Sequence, residues 1–125
     1  MRKSPISLLK GSFRFTGEEH LKKRNDIEGV FGKGKRTGCR GAKLFVLQNS
    51  LPHNRICFSF SRGFAGAVER NRAKRLGREA YRNLKPCIKS GYDMILLVYP
   101  DNPESVYSGR MGQLRYLFTR AGLML

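Results

Sequence analysis

The chain has 125 residues, of which 40% are hydrophobic, so it can form one domain with a modest core, and wholesale disorder is excluded. Its 25 Lys and Arg residues outnumber its 9 Asp and Glu residues, which gives a formal net charge of +16. Repulsion between so many positive charges opposes the compact state, and binding of a polyanion reduces that repulsion. A pI of about 10.5 is therefore typical of a nucleic-acid-binding domain rather than of a merely soluble protein.

The sequence contains no segment that resembles a membrane span or a secretory signal. Its longest apolar run, residues 94–99, has the length of a strand and falls far short of the ~20 residues that cross a bilayer. Residues 1–11 are charged and lack the apolar centre of a signal peptide. The cysteines, Cys39, Cys57 and Cys87, are far apart and include no C-x-x-C pair. This spacing argues against a disulfide framework or a zinc site and favours a reducing cytoplasm.

The first part of the chain is predicted to be a basic tail followed by a helix. Residues 1–12 are expected to form a flexible tail, and Phe13 and Phe15 follow as the first aromatic pair. A helix is predicted from Gly17 to about residue 33, because acidic residues are favourable at a helix N-terminus and an apolar stripe follows them. The stripe consists of Leu21, Ile27, Val30 and Phe31.

A basic, glycine-rich loop and two strands are predicted next. The loop, residues 33–40, lacks the glycine spacing and the closing Lys-Ser or Lys-Thr of a P-loop, which argues against a nucleotide site of that kind. Residues 43–48 have the pattern of a strand. Residues 55–61 alternate, with Ile56 and Phe58 on one face, and we expect this strand to pair antiparallel with the preceding one.

A helix, a strand and a second helix complete the chain. The glycine-rich residues 63–66 lead into a basic helix at 68–84, which a Lys-Pro pair ends. Residues 92–99 are apolar except for Asp93, which is typical of a strand covered on both faces. A final amphipathic helix is predicted from residues 102–104 to about 121. The order helix, strand, strand, helix, strand, helix predicts an α+β sandwich.

The basic helix separates into two faces when it is placed on an ideal helix of ~100° per residue. The face expected to meet the core is formed by Ala73, Leu76, Gly77, Ala80 and Leu84. The opposite face is formed by Asn71, Lys74, Arg75, Arg78 and Arg82. Arg70 flanks this second face, whereas Arg72 falls near the seam beside Glu79. A solvated face normally mixes both charge signs, and this one has almost no acid, so it predicts nucleic-acid contact without distinguishing RNA from DNA.

Several segments also match, in order and spacing, the motifs of one protein family. They are Arg70-Asn71-Arg72, Lys74-Arg75 and Arg78-Glu79-Ala80-Tyr81 in the basic helix, Leu21-Lys22-Lys23, Asp26-Ile27 and Val30-Phe31 in the first helix, Ser59-Phe60-Ser61-Arg62, Gly91-Tyr92-Asp93, and Leu114 with Leu117-Phe118. From about residue 20 to its end, the sequence therefore resembles the bacterial ribonuclease P protein family, whose basic helix carries the RNR signature.

The sequence departs from that family at four positions. Ala73 and Gly77 stand where larger aliphatic side chains are usual, so the basic helix should pack either closer or less firmly. Ile27 replaces a frequent aromatic residue, and Gly63 replaces a frequent lysine.

The resemblance implies a fold and a division of labour. The fold is a two-layer α+β sandwich of order αβββαβα, in which the RNR helix joins parallel strands by a left-handed crossover, an exception to the usual hand. The protein is implied to bind the catalytic RNA of ribonuclease P and the 5′ leader of precursor tRNA, raising the affinity for substrate and for Mg²⁺. The RNA, with Mg²⁺ bound to it, is implied to remove the leader by hydrolysis, so the chain supplies no catalytic residue and no metal ligand.

Two sets of site residues follow from the resemblance. The RNR helix is implied to bind the catalytic RNA through Arg70, Asn71, Arg72, Lys74, Arg75, Arg78 and Arg82. A cleft for the leader is implied to contain Phe13, Phe15, Ile27, Phe31, Phe58 and Arg62. Aromatic side chains beside a positive groove suit single-strand binding, because bases stack on them. Core packing is the alternative for each aromatic, and it is favoured for Phe58 and Phe60.

The residues themselves support this division of labour. A protein nuclease needs clustered carboxylates for metal ions or a positioned histidine base. The acidic residues of this chain are scattered among basic ones, and His20 and His53 are isolated in the sequence. Two other functions stay open, namely a general RNA-binding module such as a ribosomal protein and a helix-turn-helix DNA-binding protein, which the strand content disfavours.

Overall fold

The computed structural model describes residues 17–61, 66–99 and 107–125. Helices and strands follow the order αβββαβα, which confirms the α+β fold that the resemblance implied. Their bounds are α1 Arg24–Lys33, β1 Lys35–Cys39, β2 Ala42–Gln48, β3 Arg55–Phe60, α2 Ala67–Leu84, β4 Tyr92–Val98 and α3 Tyr107–Arg120. The basic helix is α2, which begins one residue before its predicted start.

The four strands form one sheet of order β1-β2-β4-β3, with β4 in an inner position. Ile95 of β4 aligns with Phe45 of the antiparallel neighbour β2 and with Cys57 of the parallel neighbour β3. The predicted antiparallel pairing of residues 43–48 with residues 55–61 is therefore wrong. The reason is that β4 separates these strands, because its apolar run from Met94 to Val98 suits a position covered on both faces.

Residues 35–39 form the edge strand β1, although residues 33–40 were predicted to be a loop. β1 pairs antiparallel with β2, from Lys35 opposite Val46 to Cys39 opposite Ala42. The sequence Lys-Arg-Thr-Gly-Cys has little strand propensity, so cross-strand pairing rather than local preference stabilises it. Charged side chains are typical of an exposed edge, because they discourage pairing with another chain.

The first helix begins at Arg24 rather than at the predicted Gly17. Gly17–Glu19 form a single 3₁₀ turn, and the backbone is then extended. The N–H of Leu21 donates a hydrogen bond of 3.1 Å to the carbonyl oxygen of Ile56, which ties this segment to β3. Burial of Leu21 against the sheet thus requires an extended backbone where the acidic residues suggested a helix start.

Two hydrophobic clusters hold the helices to opposite faces of the sheet. The larger cluster joins α2 and α3 to the sheet and includes Leu44, Ile56, Ala80, Leu84, Met94, Leu96, Leu114, Leu117 and Phe118. The smaller cluster lies under α1 and consists of Leu21, Val30, Phe45 and Ile95. Successive strand residues point to opposite faces, so β4 contributes Ile95 to one cluster and Leu96 to the other. This double role explains why β4 is apolar from Met94 to Val98.

Helix α2 lies very close to β3 at Gly77. A Cβ atom added to Gly77 would be 2.7 Å from Cε1 of Phe58, well inside van der Waals contact. The small residue at this position therefore allows the closer of the two packing arrangements that the sequence predicted.

Replacing Gly77 with alanine is expected to destabilise the protein by about 1 kcal/mol in urea unfolding. Alanine favours a helix by ~1 kcal/mol over glycine, but overpacking against a ring costs about 1–3 kcal/mol. Gly29→Ala in α1 is the matched control, because a Cβ there meets nothing within 4 Å. That control should gain up to ~1 kcal/mol of stability. A gain at both positions would contradict the close contact, whereas adding Phe58→Leu should relieve the loss at Gly77.

Some sequence predictions concern residues outside those that the structure describes. They are the flexible tail at 1–12, the aromatic pair Phe13 and Phe15, Arg62, and the start of the last helix at 102–104. The single-domain assignment and the left-handed crossover also stay predictions. The parallel pairing of the two strands that α2 joins, which the crossover requires, is confirmed.

Candidate nucleic-acid interface

Helix α2 presents its basic side chains to solvent. Six of the seven side chains assigned to RNA binding are exposed, namely Arg70, Asn71, Arg72, Arg75, Arg78 and Arg82. Lys74 is half-buried. We call these seven side chains the RNR face. Arg72, which falls near the seam of an ideal helix, is as exposed as its neighbours and belongs to this face.

The opposite side of α2 fixes the direction in which the RNR face points. Its predicted core residues Ala73, Gly77, Ala80 and Leu84 are buried. Leu76 is only half-buried, whereas Tyr81 is fully buried and packs edge-to-face on Phe118, with 6.4 Å between ring centroids. Burial raises the pKa of the Tyr81 hydroxyl. Helical periodicity does not assign Tyr81 to the buried side, because Tyr81 lies at the margin of the apolar arc, and the length of its side chain carries the ring into the core.

The positive field of the RNR face extends to the segment that precedes α1. The pKa of His20 is lowered, first by partial burial and then by the positive charges of Lys22 and Arg78. Lys22 and Arg78 of α2 therefore lie close enough to act on one imidazole. With its pKa below the ordinary value of 6.5, His20 is uncharged at neutral pH. Lys22 and Arg78 therefore both add positive charge around His20, which Glu19 partly opposes.

A second surface lies on the sheet face that α1 partly covers. Strand register aligns Arg36, Phe45, Ile95 and Cys57 in one row across the sheet, and Gly38, Lys43, Leu97 and Ser59 in the next. Ile27 and Phe31 of α1 pack on the apolar cluster of the first row. The ring of Phe31 meets that of Phe45 edge-to-face, with 4.8 Å between centroids. We call the surface formed by Ile27, Phe31 and these two rows the α1–sheet cleft.

Cations lie along the α1–sheet cleft. The guanidinium of Arg36 is 5.8 Å from the ring centroid of Phe45, and the half-buried Lys43 is aligned with Leu97. At the β3 side, burial raises the pKa of the Cys57 thiol, and the charge of Lys74 partly opposes that rise, so the positive charge of Lys74 acts on this side of the cleft. Local sequence patterns do not assign Arg36 or Lys43 to a site, because only the pairing of distant strands brings them beside the aromatic residues.

Phe58 does not belong to the α1–sheet cleft. It follows Cys57 and points to the opposite face of the sheet, where it packs on the larger core cluster and against Gly77 of α2. The implied role of Phe58 in the leader cleft is therefore corrected, and the core-packing alternative holds. Ile27 and Phe31 are the two assigned cleft residues that the structure brings together.

Three of the seven acidic side chains in the described residues anchor the fold through ion pairs. Asp93 and Asp26 pair with Arg55, at 2.6 Å and 3.4 Å, and Glu19 pairs with Lys85 at 2.8 Å. In this described part of the chain, no three potential metal ligands lie together. None of the cysteines forms a disulfide. Of the helices described, none combines the length and hydropathy needed to cross a membrane.

An α+β domain that buries one side of a helix and exposes a cationic face on the other, beside a cleft lined by cations and an aromatic ring, is a nucleic-acid-binding domain. The family model for ribonuclease P matches residues 15–122 of the chain. The chain therefore belongs to the ribonuclease P protein family and has the role of a ribonuclease P subunit. The resemblance found in the sequence is confirmed, and the general RNA-binding module is not favoured.

Individual relatives agree with this assignment. The ribonuclease P protein component of Alkaliphilus metalliredigens is 32% identical over 104 residues, which cover 83% of this chain and 94% of that one. The RNase P protein of Thermotoga maritima has a TM-score of 0.71 at 26% identity, covering 82% of this chain and 96% of that one. The RNase P protein of Staphylococcus aureus has a TM-score of 0.77 at 23% identity, covering 86% and 98%, and supports the fold alone.

Proposed function

We propose that the protein binds the catalytic RNA of ribonuclease P through its RNR face and holds the 5′ leader of precursor tRNA in the α1–sheet cleft. The observation that supports binding of the catalytic RNA is the exposure of six of the seven RNR side chains on a helix whose other side is buried in the core. Arginine suits this task because its planar fork matches phosphate oxygens. A rigid helix also holds those forks at fixed spacing before the RNA arrives.

The cleft proposal is supported by the chemistry of its surface. A single strand binds where bases can stack on aromatic rings beside a positive groove that follows the phosphates. Phe31 supplies a half-buried ring, Leu97 an apolar surface, and Arg36, Lys43 and Lys74 the positive charge. The charge of Lys74, a residue of the RNR face, acts on Cys57 at the β3 side of the cleft, so RNA bound to α2 and a strand in the cleft would be neighbours.

The proposed chemistry belongs to the RNA and to Mg²⁺ bound by the RNA. The described residues do not fit a metal site of their own, because no three potential metal ligands among them lie together, and carboxylates such as that of Asp93 are engaged in ion pairs. The chain would contribute binding energy for the substrate and a higher apparent affinity for Mg²⁺. We also propose that it works in the cytoplasm, where thiols stay reduced.

A reconstitution experiment tests the proposal. The protein is mixed with the ribonuclease P RNA of Bacillus cereus and a precursor tRNA at low Mg²⁺, and formation of the mature 5′ end is followed. We expect cleavage to be faster than with RNA alone. No stimulation would overturn the proposed function, and cleavage by the protein without RNA would overturn the division of labour.

Replacing Phe31 with leucine is expected to weaken binding of leader-bearing tRNA to the holoenzyme about tenfold, since stacking of a base on an aromatic ring is worth ~1–3 kcal/mol. Binding of mature tRNA, which has no leader, should not change. Phe58→Leu is the matched control, because the same change on the opposite face of the sheet should lower stability without altering the preference for the leader. A similar loss of preference in both variants would argue against the cleft.

A further inference from the structure

A third cationic surface lies at the end of the sheet where β1 begins and α3 ends. It is a groove of about 550 Å³, which we call the distal groove. Its lining includes Lys33, Lys35, Arg36 and Arg120, with Gln48 and Tyr92 between them, and it shares Arg36 with the α1–sheet cleft. The four basic side chains are exposed, and the described lining contains no acidic residue.

The distal groove is separate from the RNR face. β1 and β3 are the two edges of the four-stranded sheet, which places them about 14 Å apart at ~4.8 Å between neighbouring strands. Helix α2 packs on β3 through Gly77 and Phe58, whereas the groove is lined by the opposite edge strand β1 and by the end of α3. One phosphate group could not contact both surfaces.

Each cation of the distal groove has an ordinary explanation when it is taken alone. Lys33 and Arg120 are in the last turns of helices, where the macrodipole favours a positive charge. Lys35 and Arg36 protect an exposed sheet edge. These explanations do not account for the presence of all four cations in one groove whose described lining has no acidic residue to neutralise them. Two of the guanidiniums also make cation–π contacts. That of Arg120 lies 5.9 Å from the ring centroid of Tyr116, and that of Arg36 lies 5.8 Å from the ring centroid of Phe45.

We propose that the distal groove binds the phosphate backbone of the folded catalytic RNA, as a second anchor independent of the RNR face. This inference rests on the proposed function. A leader strand in the α1–sheet cleft runs on the other face of the sheet, because most of the groove lining, including Lys35, Gln48 and Tyr92, belongs to the face that α2 and α3 cover. A large folded RNA can reach both surfaces, and two anchors would fix its orientation where one helix leaves rotation free.

The test compares two double variants that each remove two positive charges. Lys35→Gln/Arg120→Gln changes the distal groove, and Lys89→Gln/Arg115→Gln changes exposed cations outside all three surfaces. Binding of the Bacillus cereus ribonuclease P RNA is measured over a range of salt concentrations. The groove variant should lose about 0.7–0.9 in the slope of log K against log salt for each phosphate contact removed. The control should keep the slope of the unmodified protein, and thermal unfolding checks that both variants fold.

Each outcome of this test is decisive. A reduced slope in the groove variant alone, with unchanged affinity of the reconstituted holoenzyme for precursor tRNA, supports the second anchor. Equal slopes in the two variants would overturn it. Loss of precursor-tRNA affinity with normal binding of the catalytic RNA would show that the groove serves the substrate, and it would overturn the assignment too. Failure of the unmodified protein to bind the RNA would overturn the proposed function itself. This result is distinguishable from failure of the second anchor, which is judged by comparing the variants with an unmodified protein that does bind.

Discussion

The double variant Arg72→Gln/Arg75→Gln is expected to bind the catalytic RNA about 30-fold more weakly than the unmodified protein, at ~1 kcal/mol for each lost phosphate contact. Both side chains are exposed on α2, and neither belongs to the buried side of the helix. The salt slope of binding should fall by about 1.4–1.8 in total, since each contact releases counterions. Arg70→Gln alone should cause about half the loss in binding free energy.

The control for this variant is again Lys89→Gln/Arg115→Gln, which removes the same charge away from α2. If net charge alone determined the affinity, the two double variants would bind the RNA equally well, and the RNR face would have no special role. The preference for leader-bearing tRNA over mature tRNA further distinguishes the RNR face from the α1–sheet cleft. Arg72→Gln/Arg75→Gln should weaken holoenzyme assembly, whereas Phe31→Leu should weaken recognition of the leader after assembly. Equal loss of RNA affinity in both would contradict our division into two surfaces.

The RNR face could be predicted from the sequence because a helix is a local structure. The angle of each residue on α2 follows from its position in the chain, so the burial of Ala73, Gly77, Ala80 and Leu84 followed from periodicity. The position of Tyr81 did not follow, because the length of a side chain decides its burial at the margin of a face. The family motifs added the RNA partner, which the charge pattern could not distinguish from DNA.

The α1–sheet cleft depends on contacts between distant parts of the chain, and the sequence predicted it only in part. Alternation in β3 indicates that Cys57 and Phe58 point to opposite faces, but not which face α1 covers. That choice depends on β4, which enters the sheet between β2 and β3 from more than thirty residues further along the chain. The same insertion brings Lys43 beside Leu97. Phe58 was therefore placed in the cleft although it lies in the core.

Replacing Arg55 with methionine is expected to destabilise the protein by about 2 kcal/mol, the largest loss of stability that we predict. Its Nε and Nη2 donate to the two carboxylate oxygens of Asp93 at 2.8 Å and 2.6 Å, and Asn49 donates to Oδ1 of the same group. The side chain of Asp93 is only 8% exposed. Removing one partner of a buried pair costs ~3–5 kcal/mol, and the partial exposure of Arg55 and the remaining bond from Asn49 reduce that figure.

Arg24→Met is the matched control, because Arg24 also pairs with a carboxylate, that of Glu28, but the two side chains are 90% and 61% exposed. An exposed pair of this kind contributes ~0.3–0.5 kcal/mol, so the two variants should differ severalfold in urea unfolding. Adding Asp93→Asn to Arg55→Met should restore part of the lost stability, since no buried charge is then left without its cation. Equal losses for Arg55→Met and Arg24→Met would contradict this account of the pair.

The Arg55 pair also connects stability to the proposed binding of the leader. Arg55 contacts Asp26 of α1 at 3.4 Å, and Asp26 directly precedes Ile27 in the cleft. Loss of the pair should therefore loosen α1 against the sheet and weaken the preference for leader-bearing tRNA. The RNR face is held by a different cluster, so binding of the catalytic RNA should fall much less. Measuring both affinities for Arg55→Met, at a temperature where it remains folded, separates a shift of α1 from general unfolding, which would weaken both.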